Sequence, residues 1–322
     1  MVKINSNFEY FVYIIFGPLV LFLGLFGNLM GLLVLKGKQL DKLGPKKMYQ
    51  YLFIIDMACL LIVLNNHLVL SFEIGFQVFS RLTCKMYMYF AFTFSPLTHM
   101  VLIYILVERY LSIKYPVESN LLRNKKSQLI YILVVIGLNV LYFMYVPLIS
   151  DLTKDKLSNN TAANRTFCRI VRSKMLSTNF SFFSRIFVPF TFVVIFSIVL
   201  IFKILNSRNQ LTTFYSRREN SIFKRDVYLS ILAILSNFII ICFIFPLFLV
   251  HFIFGDDKSV WFVFCLHVYH LSYVFYFYFF LITNSMFRKE FISLFYTKSK
   301  KMNERYNAEN EEEENQFNET TL

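Results

Sequence analysis

Charged side chains are missing from six long stretches of this 322-residue chain and almost missing from a seventh. Six stretches contain no Asp, Glu, Lys or Arg, and a seventh, residues 48–72, contains only Asp56. Runs this long and apolar exclude a water-soluble domain, since a helix needs about 20 residues to cross the hydrocarbon layer of a membrane. Backbone polar groups inside that layer must bond within the segment, so the runs should be helices. We therefore predict an all-α, seven-transmembrane helix bundle, whose six uncharged runs are 10–35, 86–107, 127–150, 186–202, 227–255 and 259–287.

Enzyme motifs and internal repeats are also missing. The chain contains no His-Glu-x-x-His, no Gly-x-Ser-x-Gly and no pair of intramembrane aspartates, and its five histidines are scattered. Transporters commonly show repeats and charged or broken helices near the middle of the membrane, where this sequence has only Asp56. We therefore predict neither an enzyme nor a metal- or cofactor-binding protein, and a transporter is the less favoured alternative.

The charges that are present show a clear asymmetry. Lys and Arg outnumber Asp and Glu by 33 to 20 and concentrate in alternate loops. Such a bias marks the cytoplasmic face of a membrane protein, which predicts a multi-pass plasma-membrane protein with an extracellular N-terminus and a cytoplasmic C-terminus. The basic residues then contact anionic lipid, and nucleic acid is not a predicted partner. The basic loops are 36–47, 113–126, 207–225 and 288–305.

The longest loop on the predicted extracellular side, 150–185, carries chemistry typical of that side. Three glycosylation sequons fall in it, at Asn159, Asn164 and Asn179. Cys168 lies in the same loop, and Cys84 lies at the extracellular start of the third span. These two are the only plausible disulfide pair, because the other three cysteines lie within apolar runs. The alternative is two free thiols.

Ionisable residues at membrane depth are costly, and each is therefore a candidate functional residue. Asp56 lies in the middle of the second span, and Glu108-Arg109-Tyr110 ends the third span at its cytoplasmic boundary. Arg109 can pair with the adjacent Glu108 or, across the bundle, with Asp226 at the start of the sixth span. The alternative is that Glu108 and Arg109 merely extend their charged ends to the membrane surface.

Several motifs at fixed spacing resemble the rhodopsin-like, or class A, G-protein-coupled receptors. Cys84 precedes Arg109 by 25 residues, and the segment from Glu108 to Pro116 is similar to the family's signature at the end of the third helix. Residues 284–291 look like the start of the family's short amphipathic eighth helix, and resemble invertebrate neuropeptide receptors of the FMRFamide-like kind. The other matching positions are Gly27, Asn28, Asp56, Pro147, Pro189, Asp226 and Pro246.

This resemblance implies a receptor that binds an extracellular ligand and activates a heterotrimeric G protein. It implies an ionic lock and G-protein coupling site made by Glu108, Arg109, Tyr110 and Asp226. It also implies an intramembrane polar core, to which Asn28, Asp56, Thr98 and Ser272 would contribute.

The seventh span departs from the family. Where the family carries Asn-Pro-x-x-Tyr, this chain has Tyr276-Phe-Tyr-Phe-Phe280, so the asparagine, the proline and the tyrosine hydroxyl are all absent. We expect a thinner polar relay in the cytoplasmic half of the bundle. A sodium ion near Asp56 is disfavoured, because Tyr276 replaces the asparagine.

Missing side chains narrow the classes of ligand that the pocket can bind. Ala91 stands where amine receptors place an aspartate, which argues against biogenic amines. No lysine occurs between Lys258 and Arg288, which excludes a retinal Schiff base. An aromatic, mildly polar pocket and a long basic loop suit a peptide ligand, and a chemosensory receptor for a small molecule is the alternative. Each pocket residue could instead pack in the core or face lipid. The candidate pocket residues are Tyr87, Phe92, Ser95, His251, Phe262, His267 and His270.

Three regions follow from these patterns. Residues 1–9 are an extracellular N-terminus, 10–296 form the receptor bundle with its amphipathic helix, and 297–322 are a polar cytoplasmic tail predicted to be disordered. The chain ends in Thr-Thr-Leu322, a pattern that PDZ domains bind by strand addition and carboxylate capture. A PDZ-domain protein is therefore a predicted partner.

Overall fold

Seven membrane-spanning segments form the bundle, which confirms the predicted fold class. A computed structural model describes residues 7–37, 40, 45–72, 75–115, 119–155, 165–170, 188–208, 217–254 and 260–295. In this part of the chain, six helices are long and apolar enough to cross a membrane, and a bent pair of helices forms the seventh span. The helices are α1 (Asn7–Val34), α2 (Lys46–Phe72), α3 (Arg81–Lys114), α4 (Ser119–Arg123), α5 (Lys125–Tyr142, continued to Ile149), α6 (Val188–Arg208), α7 (Arg217–Phe254), α8 (Val260–His270), α9 (Phe275–Thr283) and α10 (285–295).

The third helix, α3, is the centre of the bundle. It packs against α2, α5, α6 and α7, and its buried side chains run along most of its length. A capping box starts it: Ser80 Oγ accepts from the backbone N–H of Thr83 at 3.1 Å, and Thr83 Oγ1 accepts from that of Ser80 at 2.9 Å. Residues near either end of α3 can therefore contact several other helices.

A disulfide joins the start of α3 to a two-stranded hairpin. Strands β1 (Ser150–Asp155) and β2 (Arg165–Ile170) pair antiparallel, with Cys168 opposite Leu152. Cys84 and Cys168 are bonded, with their Cα atoms 5.4 Å apart, so the predicted pairing is confirmed. We call this end of the bundle the disulfide end, and the end where α3 stops at Lys114 the arginine end.

Close helix contact depends on glycine at one well-defined point between α1 and α2. A Cβ on Gly31 would lie 2.7 Å from two ring atoms of Phe53, which is fully buried. Only a residue without a side chain lets the two backbones approach so closely, as is common between membrane helices.

Large apolar side chains cover much of the outer surface of the bundle. On α5 alone, Ile130, Leu133, Leu138 and Leu141 are exposed. A soluble monomer rarely carries apolar patches of this extent, whereas a membrane solvates them with lipid. The exposed side chains therefore fit a bundle surrounded by hydrocarbon.

The seventh span bends by 49° although it contains no proline. A short 3₁₀ turn, Leu271–Tyr273, separates α8 from α9. Asn28 on α1 donates from Nδ2 to the carbonyl of Tyr273 at 2.9 Å. The hydroxyl of Ser95 on α3 lies 3.1 Å from that of Tyr269 and 3.3 Å from that of Tyr273. Side chains from two other helices thus stabilise the bend, where many helices would use proline.

Several predicted residues fall outside the described part of the chain. These are the glycosylation sites Asn159, Asn164 and Asn179, the start of the N-terminal region, the tail 297–322 with Leu322, and the side chain of His251.

Candidate functional site

Two adjacent ionisable residues are buried at the arginine end of α3. Glu108 is 0% exposed and Arg109 is 1% exposed. Their burial excludes the alternative that they only extend to the membrane surface. Buried charges are stable only when they are paired and hydrogen-bonded, so their partners define the site.

Arg109 forms a short charged hydrogen bond with its neighbour. Its Nε donates to Glu108 Oε2 at 2.5 Å, whereas its Nη1 lies 3.9 Å from Oδ1 of Asp226 on α7. The longer separation exceeds hydrogen-bond distance. The two acids predicted as alternative partners therefore both face Arg109, and the separation from Glu108 is the shorter of the two.

A second arginine, Arg123, bridges the two acids. Its Nε donates to Glu108 Oε1 at 2.7 Å and its Nη2 donates to Asp226 Oδ2 at 3.2 Å. The same Nη2 lies 2.8 Å from Ser112 Oγ, which itself lies 2.9 Å from Glu108 Oε1. We call Glu108, Arg109, Arg123 and Asp226 the four-charge network. It has two positive and two negative groups, so it is neutral as a whole.

The short helix α4 aims Arg123 at this network. The carbonyl of Leu122 accepts from Tyr104 Oη at 2.6 Å and from Gln128 Nε2 at 2.9 Å. These bonds tie α4 to α3 and α5, with the Arg123 side chain 24% exposed. Burial lowers the pKa of Arg123, but its hydrogen bond to Glu108 and the two carboxylate charges outweigh burial and raise the pKa above its usual value. The guanidinium therefore stays charged in the closed network.

Sequence reasoning did not find Arg123. It lies among the basic residues of loop 113–126, which indicated only the orientation of the chain. Its distance from Asp226 along the sequence is 103 residues, and no local pattern marks a contact across that distance. Tyr110, predicted beside Arg109, is half-buried against the core, and Lys114 Nζ lies 5.6 Å from the centre of its ring.

The predicted polar core is only partly assembled. Thr98 Oγ1 donates to Asp56 Oδ1 at 2.8 Å, and Asn28 bonds the backbone of Tyr273. Ser272 is buried, and its hydroxyl has no hydrogen-bond partner among the described residues. A buried tyrosine, Tyr276, stands where the resemblance leads us to expect an amide oxygen.

Aromatic side chains fill the region between this core and the four-charge network. Tyr49 and Phe280 meet edge to face with ring centroids 5.1 Å apart. Phe280 stands where the family's tyrosine hydroxyl would be, so it contributes packing but no hydrogen bond. A narrow cleft runs through this region and is lined by Tyr49, Leu102, Ile105, Leu232, Ala233, Ser236, Asn237, Tyr276 and Phe280.

The candidate pocket residues do not share one environment. Phe92 packs against Phe143 and Val146, which is a core contact between α3 and the end of α5. Ser95 belongs to the hydroxyl cluster with Tyr269 and Tyr273. Tyr87 Oη lies 3.5 Å from a carbonyl of α2, and Phe262 is half-buried against the core. Of the remaining three, His267 and His270 are buried on α8, and the side chain of His251 lies outside the described residues.

The chain also matches a known protein family. The model of the family described as "7 transmembrane receptor (rhodopsin family)" matches residues 28–287. The match begins in α1 and ends in α10, so it includes the polar core and the whole four-charge network. A comparison with curated proteins finds no significant match.

Proposed function

The chain belongs to the rhodopsin family of seven-transmembrane receptors, and from that premise we propose that it is a receptor for an extracellular neuropeptide. Membership of the family implies a multi-pass receptor of the plasma membrane, with an extracellular ligand and a heterotrimeric G protein as partners. The N-terminus and the disulfide end face outward in this proposal, and the arginine end faces the cytoplasm.

One observation supports the signalling part of the proposal above the others. The four-charge network joins α3, α4 and α7 at the end where the basic loops concentrate. Buried ion pairs of this kind are strongly destabilised when one partner moves away, because the other charge is left uncompensated. The network therefore favours a closed arrangement of α3 and α7.

Signalling then consists of opening this network. A ligand that binds better when α7 has moved away from α3 shifts the population toward the open state, and G protein that binds the same state shifts it further. The two effects are reciprocal, and such coupling is typically about 1–3 kcal/mol. In the open state Arg109 lines the cavity that receives the G protein.

The test is nucleotide exchange on purified heterotrimeric G proteins, measured without any ligand. Asp226→Asn removes the charge that Arg123 and Arg109 share across the bundle, so it should raise basal exchange. Asp151→Asn is the matched control, because Asp151 pairs with exposed Arg81 at the disulfide end, 3.6 Å away. An Asp226→Asn receptor that reaches the cell surface and keeps wild-type basal exchange with every G protein would refute the closed network.

A peptide is the proposed ligand class. The hairpin fixed by the disulfide lies over one end of the bundle, and the loop that contains it has more Lys and Arg than Asp. These features favour an extended ligand with an acidic group or a free carboxylate. Screening a neuropeptide library against cells that express the receptor tests this, and a response only to small molecules would favour a chemosensory receptor.

Orientation and the C-terminal partner have separate tests. The disulfide supports an outward-facing hairpin, because disulfides persist in oxidising compartments. Removal of N-glycans should change the size of the receptor, and substitution of Asn159, Asn164 and Asn179 together should abolish that change. Binding of a PDZ domain to the tail should be lost when Leu322 is deleted, and unchanged binding would exclude that partner.

A further inference from the structure

Two buried histidines from different helices meet at the disulfide end of the bundle. His67 on α2 and His267 on α8 are each 3% exposed, and their ring centroids are 5.5 Å apart at an interplanar angle of 65°. Neither takes part in the four-charge network or the polar core around Asp56. The two histidines are therefore separate from the groups proposed to signal at the arginine end.

Both rings converge on one point of α1. A Cβ on Gly17 would lie 2.6 Å from Cε1 and 2.8 Å from Nδ1 of His67, and 3.1 Å from Cε1 of His267. Since Cε1 is the carbon between the two ring nitrogens, the nitrogen-bearing edges of both imidazoles face the same place. Any side chain at position 17 would occupy that space, so glycine keeps the two edges together.

The backbone of α1 fixes the orientation of His67. Residues Phe11–Phe16 form a π-helical turn, in which the N–H of Gly17 donates to the carbonyl of Val12. Continuing that register would require a donor N–H at Pro18 for the carbonyl of Tyr13, and proline has none. The imidazole of His67 instead hydrogen-bonds to the backbone of Tyr13.

This hydrogen bond decides which nitrogen of His67 carries a lone pair. A neutral imidazole has one donor nitrogen and one acceptor nitrogen. With one nitrogen donating to a carbonyl, the other is an acceptor whose direction is set by the bond. A ring N–H held by a backbone carbonyl is the usual outer support of a histidine that binds a metal.

His267 provides the second, independent observation. Neither of its ring nitrogens has a hydrogen-bond partner among the described residues, although the side chain is almost completely buried. A buried polar group without a partner is costly, and such groups are rare enough to require an explanation. A ligand between the two rings would supply the missing interaction.

We propose that His67 and His267 bind a divalent transition-metal ion of the zinc class. Two imidazoles that share a tetrahedral zinc ion through nitrogens about 2.1 Å from the metal have ring centroids about 5 Å apart, close to the separation here. Imidazole donors suit zinc, copper and nickel, whereas sodium and calcium prefer oxygen. The described residues contain no group of three or more His, Cys, Asp or Glu side chains that could hold a metal, so water or a ligand donor completes the coordination.

The bound metal would link α2 to α8 across α1 at the disulfide end. Phe16 packs against the edge of His267 and against Phe264 beside the pair. An ion held there would stabilise one relative position of the second and seventh spans. The proposal does not depend on G-protein coupling, because it concerns binding alone.

Zinc chloride titrated into the full-length receptor in lipid nanodiscs tests the site. We expect a single saturable site in the wild type, and His67→Gln and His267→Gln each to weaken zinc binding by about tenfold or more. The matched control is His99→Gln, because His99 is also buried but lies on α3 and bonds to the backbone of Ser95. This control should bind zinc as the wild type does.

A second readout needs no variant and so does not depend on whether each substituted receptor folds. Electron paramagnetic resonance of the wild type with Cu²⁺ should show two coordinating nitrogens. The proposal is overturned if the wild type shows no saturable zinc binding. It is also overturned if the His67→Gln/His267→Gln double variant binds zinc with unchanged affinity, or if the copper spectrum shows no nitrogen ligand.

Discussion

Replacing Arg123 with alanine should make the receptor active without ligand. Arg123 donates to Glu108 at 2.7 Å and to Asp226 at 3.2 Å in the closed network. Hydrogen bonds between charged groups contribute about 1.5–3 kcal/mol each. Of these two bonds of Arg123, opening α7 away from α3 breaks only the bond to Asp226, and the guanidinium is partly exposed to solvent. The closed state should therefore lose about 2 kcal/mol relative to the open state.

That loss corresponds to a large change in basal activity. About 2 kcal/mol changes a two-state ratio roughly 30-fold. If the closed state outnumbers the open state by about 100 to 1, the open fraction rises from about 1% to about 20%. Arg123→Lys is the matched control, since lysine keeps the charge but cannot donate to both acids with a planar fork. Its basal activity should lie between those of the wild type and Arg123→Ala.

Ligand-free nucleotide exchange, normalised to the amount of receptor at the cell surface, measures this effect. A double-mutant cycle with Asp226→Asn adds specificity. Because both substitutions break the same contact, their combined effect should be smaller than the sum of the two. Wild-type basal exchange in Arg123→Ala, from a receptor that folds and reaches the surface, would show that Arg123 does not restrain α7. Full additivity in the cycle would show that it acts through another contact.

Two further predictions concern stability. Gly31→Ala should lower the unfolding free energy by about 1–3 kcal/mol through overpacking against Phe53. The control is Gly137→Ala, where a Cβ meets nothing within 4 Å. This change should leave the unfolding free energy unchanged or raise it by about 0.5–1 kcal/mol. Equal melting temperatures for the two variants would contradict the close approach of α1 and α2. Cys84→Ser and Cys168→Ser should each destabilise the receptor by up to about 4 kcal/mol. The double variant should be no less stable than either single variant, since both remove one bond; clearly additive losses in thermal melting would contradict this.

The sequence alone was sufficient to predict the spans. Each apolar run had to become a helix, because a backbone in hydrocarbon has no water to bond with, and no tertiary information enters that argument. The disulfide was also predictable, because only Cys84 and Cys168 lie outside the apolar runs, on the same side of the membrane. The bend in the seventh span was not, since it depends on Asn28 and on hydroxyls from other helices rather than on a local proline.

Part of the candidate site could likewise be predicted from the sequence, and part could not. Motif spacing indicated Glu108, Arg109 and Asp226, but the predicted pairing of Arg109 with Glu108 or Asp226 omitted the bridging arginine. Arg123 could not be found from sequence, because its position depends on where Leu122 is held by Tyr104 and Gln128. Phe92, a candidate pocket residue, makes a core contact with Phe143, and the sequence alone does not show whether an aromatic side chain lines a pocket or packs in the core.

The amino-acid sequence by itself determined how many times this chain crosses the membrane, and it left one plausible cysteine pair and one pair of adjacent charges, Glu108 and Arg109, as candidates for burial at the end of α3. Hydrophobic length and the high free energy of a charge in hydrocarbon act locally, so they can be seen in a linear chain. The tertiary structure decided which buried charges touch, how the seventh span bends and which histidines meet. Contacts such as Arg123 with Asp226, or His67 with His267, join residues that are distant in sequence, and only the packing of whole helices brings them together.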